Sequence, residues 1–127
     1  MASRTQRLKQ LVALQERVKE IHETRRAGFL AKAAAADRDI AEVLARRSDD
    51  GSLSDLFPDV YARFVDRTIA IRRENEDLAA EEGRKVAAET ARTNMVERSY
   101  REALRDDARK SEERTALDAV EQRLGRE

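Results

Sequence analysis

The sequence predicts an all-α fold in which two long helices form an antiparallel coiled-coil hairpin, with the second helix longer and overhanging. Charged residues make up 41% of the 127 residues and aromatic residues only 4%, a composition typical of coiled coils and long helices. Gly51 and Pro58, one of four glycines and the only proline, fall together in the stretch Ser48–Asp59. Apolar residues on both sides of this stretch recur at intervals of three and four. We therefore expect one helical hairpin over residues 1–127.

The first helix is predicted over about residues 4–47. Ser3 and Gln6 have the S-x-x-Q form of a capping box, which places the helix start at Arg4. One apolar stripe follows, and after Arg25 it advances by consecutive steps of four. This pattern predicts a drift away from a strict heptad and a straighter helix pair. The stripe consists of Leu8, Leu11, Leu14, Val18, Ile21, Phe29, Ala33, Ala36, Ile40 and Val43.

The chain is predicted to reverse within residues 48–59. Asp49, Asp50 and Gly51 favour the end of a helix and a turn. Pro58 fits the first turn of a new helix, where its missing N–H is not needed. This stretch also contains four aspartates and no basic residue, whereas residues 1–47 contain 11 basic and 6 acidic residues.

The second helix is predicted over about residues 59–124. Folding back at the turn pairs Ile40 with Phe64 and Leu8 with Val96, so that apolar residues meet. The helix from about Arg101 onward then has no partner and overhangs. Its apolar stripe is Phe57, Val60, Phe64, Ile71, Leu78, Val86, Val96, Tyr100 and Leu104. Polar residues take other seam positions (Asn75, Glu82, Glu89 and Thr93), which predicts modest stability.

No catalytic or metal-binding pattern is present. The sequence has no cysteine, a single histidine and no glycine-rich phosphate loop. We interpret His22 as a solvated histidine flanking the seam, and we expect no enzymatic activity, no cofactor and no metal. The basic residues Arg4, Arg7 and Lys9 lack neighbouring aromatics, and the formal net charge is zero; nucleic-acid binding is therefore disfavoured. The absence of an apolar leader or span predicts a soluble, cytoplasmic protein.

One feature predicts partner binding. Phe57, Tyr61 and Phe64 lie beside the turn at i, i+4 and i+7. A single thin facing helix cannot bury all of them together with Val60 and Val65. We therefore expect a partly exposed apolar patch that serves as a docking site.

The layout resembles a known family. A basic R-x-x-R-L-x-x-L segment (Arg4, Arg7, Leu8, Leu11), a charged two-helix hairpin and a final helix ending in E-x-R-L are similar to the flagellar FliJ and injectisome YscO proteins. These proteins are the stalks of type III export ATPases. The resemblance implies an antiparallel coiled coil whose terminal end inserts in the hexameric ATPase ring. It also implies contacts with the export gate and substrate chaperones, at the cytoplasmic side of the inner membrane.

The resemblance also assigns surfaces. The end facing the ATPase ring would comprise the N-terminal arm and the distal second helix: Arg4, Arg7, Leu8, Leu11, Val96, Tyr100, Leu104, Leu117 and Leu124. The end facing the export gate would comprise Phe57, Tyr61 and Phe64. Whether the system is flagellar or serves virulence stays open.

A second interpretation is a homo-oligomeric coiled-coil scaffold or adaptor unrelated to secretion. In that case the overhanging segment Arg101–Leu124 would pair with its own copy. A monomer in solution fits the stalk, whereas a tight dimer fits the scaffold.

Overall fold

The computed structural model describes residues 2–49 and 56–126. Helix α1 extends over Arg4–Arg47 (44 residues) and helix α2 over Pro58–Arg126 (69 residues). The two long helices pack against each other, and these residues contain no strand. The all-α helical hairpin is therefore confirmed. Asp50 and Gly51, to which the turn was in part assigned, lie outside the described residues.

The start of α1 is fixed by the capping box. Ser3 N donates to Gln6 Oε1 at 3.1 Å, and Gln6 N donates to Ser3 Oγ at 3.1 Å. Arg7 N closes the first turn on Ser3 O at 3.0 Å. Two N–H groups that have no partner inside the helix are thus satisfied, and the predicted start at Arg4 is confirmed.

The inner ends of both helices match the sequence signals. Ser48 N bonds to Leu44 O and Ala45 O at the end of α1, and Ser48 Oγ donates to Leu44 O at 3.1 Å. Pro58 is the first residue of α2. Asp59 follows in the first turn, where a carboxylate complements the positive end of the helix dipole.

Both helices pass through two compact units. One unit comprises Met1–Val18 and Glu89–Glu127, and the other comprises Lys19–Ala88. Each unit therefore contains a segment of α1 and a segment of α2.

The seam of α1 keeps a strict seven-residue repeat. Its residues follow one another at alternating intervals of three and four, and all of them except Arg26 are buried or half-buried. They are Thr5, Leu8, Val12, Gln15, Lys19, His22, Arg26, Phe29, Ala33, Ala36, Ile40 and Val43. The predicted drift is therefore wrong. Leu11, Leu14 and Ile21 lie beside the seam and are exposed. Polar residues occupy seam positions that the apolar pattern alone could not identify.

The seam of α2 follows the same repeat and confirms the prediction in part, because the predicted seam residues Asn75, Glu82, Val86, Glu89, Thr93, Val96 and Tyr100 lie on it. Its members are Tyr61, Val65, Thr68, Arg72, Asn75, Ala79, Glu82, Val86, Glu89, Thr93, Val96, Tyr100 and Ala103. The predicted seam residues Phe57, Val60, Phe64, Ile71 and Leu104 are exposed instead. Phe57, Phe64 and Ile71 do recur every seven residues, but on a flank of the helix.

The core is correspondingly thin. Among the described residues, the buried hydrophobic side chains are alanines (Ala33, Ala36, Ala79 and Ala103), and the buried polar side chains are Thr68, Asn75, Glu82, Glu89 and Thr93. Small side chains let the two backbones approach each other but remove little apolar surface from water.

The pairing between helices departs from the predicted register at α1's N-terminus. The prediction places Thr5 opposite Ser99, whereas Thr5 Oγ1 donates to Asp107 Oδ2 at 2.6 Å. Ala103 is also buried. Helix α1 therefore covers α2 as far as Asp107, and the predicted overhang from Arg101 is wrong in its starting point. The fully exposed segment begins after Asp107.

Candidate partner-binding surfaces

His22 lies inside the seam of the Lys19–Ala88 unit. Its Nδ1 is 2.6 Å from Glu82 Oε2, and the two side chains are only 16% and 8% exposed. The interpretation of His22 as a solvated flank residue is therefore wrong. The sequence signal that identifies its position is the seven-residue spacing from Gln15 and Phe29, two other seam residues.

The electrostatics of this pair favour a charged carboxylate. Burial alone raises the pKa of Glu82, because it penalises the charged form. The hydrogen bond from His22 and the positive charge of Lys85, whose Nζ is 3.5 Å from Glu82 Oε1, act in the opposite direction. Their combined effect holds the pKa of Glu82 below its ordinary value of 4.5. The hydrogen bond between His22 and Glu82 links α1 to α2 within this unit.

The aromatic group near the start of α2 divides between two faces. Tyr61 is half-buried and lines a cavity of about 230 Å³ together with Val43, Leu44 and Val65. Phe57 is 54% exposed and does not line that cavity. The predicted docking group is therefore not one continuous patch.

An exposed apolar stripe extends along α2 in the same unit. Phe57, Val60, Phe64 and Ile71 are 54%, 57%, 41% and 43% exposed. Their spacing of three, four and seven residues places them on one side of the helix. An apolar stripe of this kind on a surface is typical of a binding site.

A groove with basic residues at its edge adjoins this stripe. It has a volume of about 350 Å³ and is lined by Lys32, Ala36, Asp39, Phe64, Arg67 and Ile71, among others. Arg63 and Arg67 also line a shallower depression beside Val60 and Phe64. We refer to this feature as the basic-rimmed groove. It combines an apolar lining with three basic side chains and one acidic side chain.

The candidate residues of the N-terminal arm differ in exposure. Arg4, Arg7 and Leu11 are exposed, whereas Leu8 is half-buried in the seam. On α2, Val96 and Tyr100 are also half-buried seam residues, and Leu104 is exposed. Leu8, Val96 and Tyr100 therefore contribute to helix pairing, which reduces the surface that they offer to a partner.

Residues 108–126 of α2 form a helical segment that is exposed on every side. We refer to it as the distal segment. Leu117, Val120 and Leu124 are 62%, 53% and 66% exposed and lie at i, i+3 and i+7, on one face. Glu113 and Glu121 lie four residues before and four residues after Leu117, and therefore on the same side. Arg114, three residues before Leu117, and Arg123, three residues after Val120, also lie on this side. The distal segment therefore presents an apolar ridge flanked by charges of both signs.

Within residues 2–49 and 56–126, no group of three or more His, Cys, Asp or Glu side chains is arranged to hold a metal ion. Neither helix contains, in that part of the chain, an apolar stretch sufficient to cross a membrane.

No protein-family model matches the chain, and neither the curated proteins nor the solved structures include a significant match.

Proposed function

We propose that this chain is the non-enzymatic central stalk of a flagellar or type III protein-export ATPase. The observation that carries the proposal is the distal segment, a helix that continues beyond α1 with every side chain exposed. Such a helix suits the lumen of a hexameric ATPase ring, because polar contacts can be exchanged among several orientations. The similarity of the R-x-x-R-L-x-x-L and E-x-R-L segments to the FliJ and YscO proteins supports the same assignment.

In this proposal the ring contacts the N-terminal arm and the distal segment. Arg4, Arg7 and Leu11 supply exposed groups of the arm, and Leu117 and Leu124 supply the apolar ridge. The half-buried residues Leu8, Val96 and Tyr100, together with exposed Leu104, belong to the same end of the assignment. The role of Leu8, Val96 and Tyr100 is to hold the two helices together where the ring would surround them.

The export gate, and substrate chaperones with it, would bind the other unit, at the start of α2. Phe57 and Phe64 offer exposed rings there, and Tyr61 anchors α2 against Val43 and Leu44 of α1. The protein would then act at the cytoplasmic side of the inner membrane without spanning it. Its contribution is mechanical coupling between two other proteins.

The test is a pull-down from lysate of the source cell with the tagged full chain, followed by mass spectrometry. The test variant carries Leu117→Asp and Leu124→Asp. The control carries Leu30→Asp, since Leu30 is also exposed (45%) but lies outside both ends that the proposal assigns to partners. We expect the unaltered chain and the control to retain a secretion ATPase and the double variant to lose it. Equal retention by all three, or recovery of no secretion component, would contradict the proposal.

A further inference from the structure

The face of α2 that packs against α1 continues beyond the end of α1. In the unit Met1–Val18 and Glu89–Glu127, the buried and half-buried seam residues of α2 follow intervals of four and three: Glu89, Thr93, Val96, Tyr100 and Ala103. The same intervals lead on to Asp107, Lys110, Arg114, Leu117, Glu121 and Leu124. Thr5, in the first turn of α1, already contacts Asp107. The five residues that follow Asp107 on this face are therefore left uncovered.

We refer to Lys110, Arg114, Leu117, Glu121 and Leu124 as the open seam. Leu117 lies two seven-residue repeats after Ala103, and Leu124 lies three repeats after it. Ala103 is 4% exposed, whereas the two leucines are 62% and 66% exposed. The open seam thus continues an existing helix–helix interface, with larger apolar side chains than Ala103 at the equivalent positions. Such a face gains free energy when a second helix covers it.

The charges of the open seam favour a second copy of the chain as that helix. Arg114 lies three residues before Leu117, and Glu121 lies four residues after it. In an antiparallel pair, the next layer of a seam is four residues forward on one helix and three residues back on the other. When Leu117 meets Leu117 of a second copy, Arg114 of each copy therefore meets Glu121 of the other. A parallel pair would instead place arginine on arginine and glutamate on glutamate, so the charges select the antiparallel orientation.

The ends of the overlap are compatible with this alignment. Lys110 of one copy meets Leu124 of the other, where the aliphatic stem of the lysine can cover the leucine while its ammonium group reaches water. Residues 109–126 carry five basic and four acidic side chains. Because this charge is nearly balanced, two such segments do not repel each other as they approach.

The charges at the edges of the open seam are mixed and exposed. Glu113 lies at the edge that carries Val120 and Arg123 of the second copy, and its charge is opposite to that of Arg123. Asp118 lies at the other edge, opposite Asp118 of the second copy, which disfavours pairing. Arg114, four residues before Asp118 in the same helix, offsets this repulsion. Exposed charges of this kind have small effects, so the contacts within the seam determine the orientation.

We propose that the free protein forms a weak symmetric dimer, in which the open seams of two copies pair as antiparallel helices. The assembly closes at two copies, because each copy gives and receives the same contacts. The overlap of residues 110–124 is about 22 Å of helix, which is short for a coiled coil, so the dimer dissociates at low concentration. This inference goes beyond the stalk function and does not rest on it, since it requires no secretion component.

The test is sedimentation velocity of the full chain from a few micromolar to about one millimolar. We expect a concentration-dependent monomer–dimer equilibrium. Leu117→Asp should remain monomeric over the whole range, because a charge replaces the central apolar contact. The control Leu30→Asp, at a site that is 45% exposed and outside the distal segment, should dimerise as the unaltered chain does. Unchanged helical circular dichroism will verify that the variants fold.

A charge exchange tests the pairing of Arg114 with Glu121. Arg114→Glu creates two contacts between glutamates, and Glu121→Arg creates two contacts between arginines, so each variant alone should dimerise about tenfold or more weakly. An equimolar mixture of the two variants places glutamate opposite arginine in both contacts. The mixture should therefore dimerise as the unaltered chain does, within about threefold. The double variant Arg114→Glu with Glu121→Arg should dimerise within the same range.

Several results would overturn the proposal. A monomer at every concentration excludes self-association. A dimer that survives Leu117→Asp forms through another surface. Single charge variants that dimerise as the unaltered chain does, or a mixture that dimerises no better than they do, exclude the antiparallel contact of Arg114 with Glu121. None of these results depends on whether a secretion ATPase is recovered in the pull-down.

Discussion

His22 and Glu82 are joined across the seam by a hydrogen bond of 2.6 Å between Nδ1 and Oε2. A carboxylate can only accept, so Nδ1 carries the hydrogen. The pair places the single histidine of the chain opposite a buried acidic residue. It gives α1 and α2 a polar contact that other alignments of the two helices would break.

This pair predicts a pH dependence. The pKa of Glu82 is lower in the folded protein than its ordinary value of 4.5, so the unfolded state binds a proton more readily. The stability that the carboxylate contributes is therefore present above about pH 5. It is lost as the pH falls through the folded pKa. Glu82→Gln should lower the melting temperature at pH 7 and leave a smaller difference from the unaltered chain at pH 3.

Thermal melts followed by circular dichroism measure this effect. Glu81→Gln is the matched control, because Glu81 is exposed and pairs with the same Lys85 at 3.7 Å. If the melting temperatures of the two variants differ from that of the unaltered chain by the same amount at both pH values, the inference about Glu82 is wrong.

Glu89 should be replaceable with a gain in stability. Its Oε2 is buried without a hydrogen-bond partner, and its other oxygen pairs with Arg92. Because an unsatisfied buried polar atom costs about 1–3 kcal/mol, Glu89→Leu should raise the free energy of unfolding by about 1 kcal/mol or more. Glu102→Leu, at an exposed site of α2, should change it by less than about 0.5 kcal/mol. Urea denaturation gives both values, and a loss of stability in Glu89→Leu would refute the prediction.

The buried alanines of the seam should not tolerate replacement by larger side chains. Ala79 is 3% exposed, so a leucine at this position must force the helices apart or adopt a strained rotamer. Ala79→Leu should lower the free energy of unfolding by about 1–3 kcal/mol. Ala87→Leu, at an exposed position of the same helix, should leave it nearly unchanged. Chemical denaturation of both variants under identical conditions makes the comparison, and equal effects would show that Ala79 does not lie at a close contact.

The capping box should slow amide hydrogen exchange in the first turn of α1. Ser3→Ala removes the acceptor for Gln6 N and should cost about 1 kcal/mol of local stability. Amide hydrogen exchange should therefore accelerate about fivefold at Gln6 and Arg7. The amides near Val12 should be unaffected. Acceleration along all of α1 would instead indicate that the cap controls the whole helix.

The distal segment should contribute little to stability. Its residues are exposed, and a helix without tertiary packing frays from its end. Removal of residues 109–127 should shift the melting temperature by no more than about 2 °C, whereas removal of residues 2–12, which include Leu8, should lower it clearly. In the full chain, amides of the distal segment should exchange faster than those near Val96. A large stability loss on removing the distal segment would contradict its lack of packing.

The sequence predicted the bounds of the two helices better than it predicted which side of each helix lies in the seam. Ser3 with Gln6, and Pro58, are local signals, because the first two satisfy backbone N–H groups and proline has no N–H to satisfy. They located the start of α1 at Arg4 and the start of α2 between residues 55 and 59. The seam was harder to predict. Phe57, Phe64 and Ile71 form a heptad series of their own, and they were assigned to the seam because they are larger and more apolar than the seam residue Thr68. The polar seam residues Asn75, Glu82, Glu89 and Thr93 were placed correctly.

The candidate surfaces were predicted in part for the same reason. An exposed patch at Phe57 and Phe64 was expected, but the separation of Tyr61 from it depends on which face of α2 meets α1. The basic-rimmed groove combines Lys32 of α1 with Arg67 of α2, residues that are brought together only by the pairing of the helices. The periodicity of one helix does not show which residues of the other helix it will contact.

The alanine and polar composition of the seam has a calorimetric consequence. The heat-capacity change on unfolding scales with the apolar surface that becomes exposed, and polar surface subtracts from it. Since the described core consists of Ala33, Ala36, Ala79 and Ala103 with five polar side chains, that change should lie below the usual value of about 12–15 cal/mol/K per residue. The free energy of unfolding should then change little with temperature, so that the thermal transition is broad and cooling destabilises the protein only slightly. This protein would keep a nearly constant, modest margin of stability over a wide range of growth temperatures.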